Sequence, residues 1–187
     1  MTLALGECSD GELAALALAG RQAAYRELLG RHSEPVFRLV RGTIGDGDAA
    51  LDVTQEAFIA AFAALKNYDG SRPFKTWVSR IAINKCRDWA RRRAVRRFFS
   101  FALPIEAAVT IADESIPADR QLADRAELAR VKEAIAKLPM TIREPLILRT
   151  IEGLSQAETA QVLGISEKAV ETRLYRARNK LTEVLRD

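Results

Sequence analysis

One stretch, Arg72 to Arg97, organises the rest of this chain. It holds ten Lys/Arg and a single acid, Asp88, for a net charge of +9. The whole chain carries +4, so everything outside the stretch sums to −5. Wound as a helix, the segment puts Trp77, Arg80, Asn84, Arg87 and Arg91 on one stripe at steps of three and four. Phe74, Val78, Ile81, Ala82, Cys86 and Trp89 fall on a different face suited to a core. An aromatic ring, an amide and three guanidiniums on an exposed stripe suit a strand of nucleic acid, with bases stacking on the ring and cations meeting phosphates. A solvated basic face is the plainer alternative. The interleaved Trp77 and Asn84, in an otherwise acidic chain, favour nucleic acid.

The 187 residues suffice for one or two small domains, and 48% hydrophobic content is ample for packed cores. Cys8 and Cys86 are isolated, with no CxxC and no Cys/His cluster, which argues against a zinc site or a disulfide framework. The first residues lack a basic and a long apolar region, so no signal peptide is expected. No apolar run approaches the ~20 residues of a membrane helix. The expectation is a soluble, cytoplasmic protein with no metal and no cofactor.

Helical signals run the length of the chain. Ser9 and Glu12 form a capping box ahead of LAALALAG, which Gly20 closes. One helical segment follows through Ala24, Tyr25, Leu28 and Leu29, and another through Val36, Phe37, Leu39 and Val40. Gly42, Gly45 and Gly47 break the pattern without spelling a phosphate loop. A strong helix is predicted over Asp48–Leu65, with Leu51, Thr54, Phe58, Ala61, Phe62 and Leu65 inside and Asp52, Gln55, Glu56 and Ile59 outside. That outer group suits either a docking patch for a basic partner or an ordinary solvated face. Asn67, Tyr68, Asp69 and Gly70 make a turn, and Pro73 is placed to open the basic helix as its first residue.

From Phe101 to Asp119 there are four acids, two prolines and no Lys or Arg, the composition of an acidic linker. Beyond it RAELARVKEAIAKLP reads as an amphipathic helix stopped by Pro139, and Thr141 with Glu144 as a further capping box. LSQAETAQVLG opens with a third box, Ser155 to Glu158. Gly164-Ile165 then turns the chain, and Ser166 caps SEKAVETRLYRARNKL. Two short helices, a small Ala160 at their crossing and a glycine turn fit a helix-turn-helix. Val170, Leu174, Ala177 and Leu181 face inward. Lys168, Glu171, Thr172, Tyr175, Arg176, Arg178 and Asn179 are outward or flanking, available to base edges and phosphates. The fold class expected is all-α, two small helical domains joined by a flexible acidic linker, with boundaries 1–100, 101–121 and 122–187.

Taken together, DVTQEAF at Asp52–Phe58, RPFKTWVSRIAINKCRDWARRR at Arg72–Arg93 and the run from LPMTIREPLILRTIEGLSQAETAQVLGIS into VETRLYRARNKL resemble the bacterial sigma factors of the extracytoplasmic-function group. The resemblance spans nearly the whole chain. It implies a promoter-recognition subunit of RNA polymerase that helps melt the minus-ten element. Asp52, Gln55, Glu56 and Ile59 would dock on the beta-prime clamp of core RNA polymerase, with the beta flap a further contact. Asn67, Tyr68, Lys75, Trp77, Arg80, Asn84, Arg87 and Arg91 would hold the minus-ten element, the turn keeping a base flipped from the non-template strand. Ser166, Lys168, Glu171, Thr172, Arg173, Tyr175, Arg176 and Arg178 would read the minus-thirty-five duplex. The linker would thread the polymerase channels, and an anti-sigma factor is an implied partner.

Glu171 stands where relatives often carry a basic residue, and Phe98, Phe99 and Phe101 directly follow the basic run without an assigned role. Two other functions compete: a polymerase-independent helix-turn-helix regulator, and a decoy that titrates an anti-sigma factor. An enzyme is disfavoured, since the one histidine, His32, has no evident nucleophile partner.

Overall fold

The computed structural model describes residues 4–102 and 119–186, and among them are eight α-helices and no strand. Most of the expected linker, residues 103–118, therefore lies outside the described residues. Helix α1 (Asp10–Leu18) begins as expected: Ser9 accepts from the Glu12 N–H at 3.2 Å, and Glu12 accepts from the Ser9 N–H at 2.7 Å. Helix α2 (Gln22–Ile44) is continuous where the sequence suggested two segments, and Pro35 lies inside it. A proline in a helix costs about 3 kcal/mol. Ala24, Leu28, Val36, Leu39 and Val40 are buried on α2, and each large side chain contributes roughly 1.5–3 kcal/mol. Burial outweighs the break.

Helix α3 (Gly47–Ala63) is capped by Asp46, whose carboxylate accepts from the Ala49 N–H at 3.1 Å. Its buried stripe is Ala50, Val53, Thr54, Ala57, Phe58 and Ala61, rotated from the expected one. Leu51, predicted inside, is 55% exposed. The three alanines let α3 lie close against α2 and α4, and close approach fixes that register over the one that would have buried Leu51. Helix α4 (Phe74–Ala102) follows, and the Pro73 carbonyl accepts from the Trp77 N–H at 3.3 Å. Pro73 thus stands just before the helix, not at its first position. Phe74, Val78, Ala82, Ile83 and Cys86 are buried along α4. Burial pushes the Cys86 thiol up to about 12, which leaves it unreactive.

In the second half, α5 (Asp119–Lys137) and α6 (Met140–Thr150) precede the pair α7 (Gln156–Leu163) and α8 (Glu167–Arg186). The Ser155–Glu158 box closes α7 at both hydrogen bonds. Gly164 takes the left-handed conformation at φ 67°, and the Ser166 hydroxyl accepts from the Ala169 N–H at 3.2 Å. The expected Thr141–Glu144 box is not formed. Pro139 is the residue before α6, with no side-chain cap, and Glu144 is buried at 2% exposure. A carboxylate bonded twice to a guanidinium gains more than one capping an exposed helix end.

Leu138, Leu146, Ala160, Val170, Leu174 and Ala177 form the core under the helix-turn-helix. A larger core gathers Leu13, Leu28, Leu39, Val53, Phe58, Phe74 and Ile83 from the first half. It also takes in Ile147, Leu148, Leu154, Val162 and Leu163 from the second. Consecutive apolar residues on α6 therefore serve two cores, Leu146 facing one way and Ile147 and Leu148 the other. This is why three large apolar residues follow one another on α6.

Two predictions follow from these local contacts. Ser155 holds the Glu158 carboxylate below its ordinary value of 4.5, its hydroxyl contributing most and its N–H next. The stability this adds is present above pH 4.5 and is lost as the pH falls through the lowered value. Ser155→Ala should cost about 1 kcal/mol in urea unfolding at neutral pH and flatten part of the acid limb. Gly11 approaches the turn before α4 so closely that a Cβ there would stand 2.6 Å from the Gly70 carbonyl oxygen. Gly11→Ala should destabilise by roughly 1–3 kcal/mol, read as a lower urea midpoint.

Candidate nucleic-acid and polymerase interface

The turn Asn67–Ser71 and the first two turns of α4 enclose a cavity of about 470 Å³, lined by Asn67, Tyr68, Asp69, Trp77, Arg80 and, from α7, Gln161. Its aromatic wall is built by packing. Tyr68 lies 5.2 Å from Trp77 and 5.2 Å from Phe74, between ring centroids, and Phe74 lies 5.3 Å from Trp77. The Tyr68 hydroxyl donates to the Arg72 carbonyl at 2.5 Å, which closes the turn over the rings. Asp69 tightens the same turn by accepting from the Ser71 N–H at 3.0 Å and hydroxyl at 2.7 Å, and these bonds hold its carboxyl below the usual range. Burial raises the Tyr68 hydroxyl, so it remains a neutral donor. A slot with an aromatic wall, lined also by the amides of Asn67 and Gln161 and the guanidiniums of Arg72 and Arg80, can stack a base and hold the adjoining phosphate.

Along α4 the sequence-predicted stripe divides. Arg80 and Asn84 are exposed, and Trp77 is half-buried against the aromatic wall. Arg91 pairs with Asp88 one turn earlier. Arg87 is not a free cation: its Nε and Nη2 donate to both oxygens of Glu144 on α6, at 2.8 and 2.7 Å. That carboxylate raises the guanidinium above its ordinary value. Lys75 likewise turns to the second half, donating to the Glu152 carbonyl at 2.6 Å and lying 3.4 Å from its carboxylate. The structure thus joins Asn67, Tyr68, Trp77 and Arg80 around one cavity, and diverts Lys75 and Arg87 to acids that the sequence reading did not connect with them. Gln161, Glu144 and Glu152 carry no local pattern that marks them for this place.

On the outer face of α3, Asp52, Gln55 and Ile59 are exposed, Ile59 at 70%. Leu51 joins them and widens the apolar centre that Ile59 alone was expected to supply. Glu56 is half-buried and spans two cations, Arg92 at 3.2 Å and Lys85 at 3.9 Å. Those bonds fix α3 against α4, so Glu56 bridges the patch and the basic helix.

In the helix-turn-helix, Ser166, Lys168, Glu171, Thr172, Tyr175, Arg176 and Arg178 are exposed and Arg173 is half-buried. Val170, Leu174 and Ala177 anchor the opposite face. Glu171 accepts from Lys168 at 2.8 Å, so its charge is locally offset on the helix surface. Among the described residues no group of His, Cys, Asp and Glu is arranged to hold a metal ion, and no helix is long and apolar enough to cross a membrane.

Comparison with known proteins matches both halves. Residues 28–96 fit the family described as Sigma-70 region 2, and residues 128–181 fit Sigma-70, region 4. The RNA polymerase sigma factor CnrH of Cupriavidus metallidurans is 42% identical over 183 residues, covering 96% of this chain and 95% of that protein. The ECF RNA polymerase sigma factor SigM of Mycobacterium tuberculosis is 30% identical over 179 residues, covering 96% and 86%. The solved structure of CnrH in complex with the cytosolic domain of CnrY matches with a TM-score of 0.68 at 36% identity, covering 95% of this chain and 97% of that one. With both regions present, in order and over nearly its full length, the chain belongs to the RNA polymerase sigma factors of the extracytoplasmic-function group.

Proposed function

We propose a division of labour among three surfaces of this sigma factor. The outer face of α3, with Asp52, Gln55, Glu56 and Ile59, docks on core RNA polymerase, and the C-terminal unit adds a contact at the flap. The cavity between the Asn67–Ser71 turn and Trp77 takes a base from the melted minus-ten element. Lys75, Arg80, Asn84, Arg87 and Arg91 follow the strand along α4. The exposed face of α8, from Ser166 to Arg178, reads the minus-thirty-five duplex. The units are those drawn from the sequence, 1–100 and 122–187 joined by 101–121. Their work is binding and melting without catalysis, and it is done in the cytoplasm, where the polymerase is.

The aromatic cavity is the observation that carries this reading. Opening duplex costs about 1.4 kcal/mol per base-pair step. Each base stacked on an aromatic ring returns roughly 1–3 kcal/mol, so one or two captured bases offset the first steps of melting. A plain duplex-binding regulator has no need of such a slot beside a basic helix, and a titrating decoy has no need of an exposed reading face on α8. CnrH is solved in complex with the cytosolic domain of CnrY, and this chain is likewise read as binding a protein partner besides polymerase. An anti-sigma factor of the host is that partner, and co-purification of the chain from its host tests it.

Initiation in vitro at a discrete promoter, with core polymerase and this protein alone, is the direct check. Failure on every fragment of the host genome, with core binding verified, would remove the reading. Trp77→Ala should lower permanganate reactivity of the minus-ten region by roughly 1–3 kcal/mol of opening free energy. It should leave engagement of the upstream duplex nearly intact. Arg176→Ala should do the reverse, weakening duplex footprints while sparing a pre-melted template. Equal effects of both changes on both steps would refute the division.

A further inference from the structure

His32 belongs to none of the three surfaces, yet it stands directly behind one of them. We propose that Asp10 and His32 are positioning residues for strand capture: from behind the aromatic wall they hold the Tyr68 turn and the Phe74–Trp77 rings at the separation a base needs. This rests on the reading of the cavity as the seat of a base from the melted minus-ten element.

Two contacts reach the cavity from the N-terminal helices. The first is ring on ring. The His32 imidazole, on α2, lies 4.9 Å from the Phe74 ring, and Phe74 in turn lies 5.2 Å from Tyr68 and 5.3 Å from Trp77. The second is backbone on backbone. A Cβ at Gly11 in α1 would stand 2.6 Å from the Gly70 carbonyl oxygen, and one at Gly70 would stand 3.3 Å from the Gly11 Cα. The start of α1 therefore lies against the turn that lines the cavity. Asp10 joins the two contacts. It is the first residue of α1, adjoining Gly11, and its Oδ2 lies 2.8 Å from His32 Nε2. With His32 12% exposed and Asp10 25% exposed, water competes weakly for this pair.

Asp10 is itself held in place. The Arg31 guanidinium donates to its Oδ1 at 3.2 Å, to Glu27 at 2.9 Å, and to the carbonyls of Leu5, Gly6 and Cys8 at 3.0, 2.9 and 2.8 Å. That planar fork ties the segment before α1 to α2 in a way a point charge could not. The charge of Asp10 is also felt inside the site: burial raises the Tyr68 hydroxyl most, and Asp10 adds to the rise ahead of Asp69. A binding constellation works when its parts are held to within about 0.5 Å. The bonds from Tyr68 to Arg72 and from Ser71 to Asp69 close the turn on itself. Helices α1 and α2 set how far it stands from the rings of α4.

Full-length variants reconstituted with core polymerase separate positioning from packing. The probe is the fluorescein-labelled non-template minus-ten strand of a promoter located by transcription in vitro, beside a strand of equal length whose bases are replaced by abasic sugars. Asp10→Asn and His32→Leu should bind the base-bearing strand roughly tenfold more weakly, the order of one lost base stack, and the abasic strand as the parent does. Asp10→Asn is nearly isosteric and carries the test should His32→Leu not fold. Leu13→Ala empties a buried position on the same helix and leaves Asp10 and His32 in place, so it serves as the stability control. It should lower the urea midpoint at least as far while keeping the parental ratio of the two affinities. Variants with the parental ratio, or a ratio that Leu13→Ala lowers equally, would overturn the positioning role alone. A parent that binds both strands equally, or that directs initiation nowhere, would remove the reading of the cavity and the positioning role with it.

Discussion

A half-buried guanidinium on a buried carboxylate, Arg87 on Glu144, connects the two halves of this molecule. Removing one member of a fully buried pair costs about 3–5 kcal/mol, because the other is left charged and dry. Here Arg87 keeps 35% of its side chain in solvent, so the cost lies below that range. The apolar contacts around it must therefore do much of the holding. Ile147, Leu148, Leu154, Val162 and Leu163 supply them by entering the larger core. The pair fixes which way α6 faces, and the aliphatic residues hold it there.

Helix α4 shows how one element can serve several neighbours. Phe74, Val78, Ala82, Ile83 and Cys86 bind it to the N-terminal bundle. Lys85 and Arg92 reach Glu56 on α3, and Arg93 reaches Asp46 at the start of α3 while lying 5.0 Å from the centre of the Trp89 ring. Lys75 and Arg87 reach the C-terminal unit. Much of the positive charge that distinguishes this helix is thus matched within the chain. Arg80 remains at the aromatic cavity, and Asn84 lies exposed one turn further along α4.

The sequence was most legible where interactions are local. Ser9–Glu12 and Ser155–Glu158 close over three residues, and both form as read. Gly164 and Ser166 define their turn through backbone conformation and a single cap. The inward residues of α8 follow from a clean helical period. What could not be read depends on partners far along the chain. Thr141 and Glu144 match the capping pattern, yet Glu144 finds Arg87, 57 residues away. Leu51 fits one apolar stripe of α3, but three small alanines on the adjacent stripe allow closer packing and take the inside. Pro35 lies in the middle of α2, and only the burial of Val36, Leu39 and Val40 explains why the helix runs through it. Among the site residues, Trp77 and Arg80 could be placed on a common stripe, whereas Gln161 reaches the same cavity solely through tertiary packing.

Charge segregation accounts for both the promise of the basic helix and its concealment. A stretch of +9 in a chain of +4 leaves the remainder acidic, so the best-placed polyanion in the absence of DNA is the chain itself. Its carboxylates are sparse and held on a folded scaffold, whereas duplex DNA carries about one charge per 1.7 Å of axis and releases counterions when bound. Two of the chain's own buried carboxylates, Glu144 and Glu152, therefore take up the charge of Arg87 and Lys75.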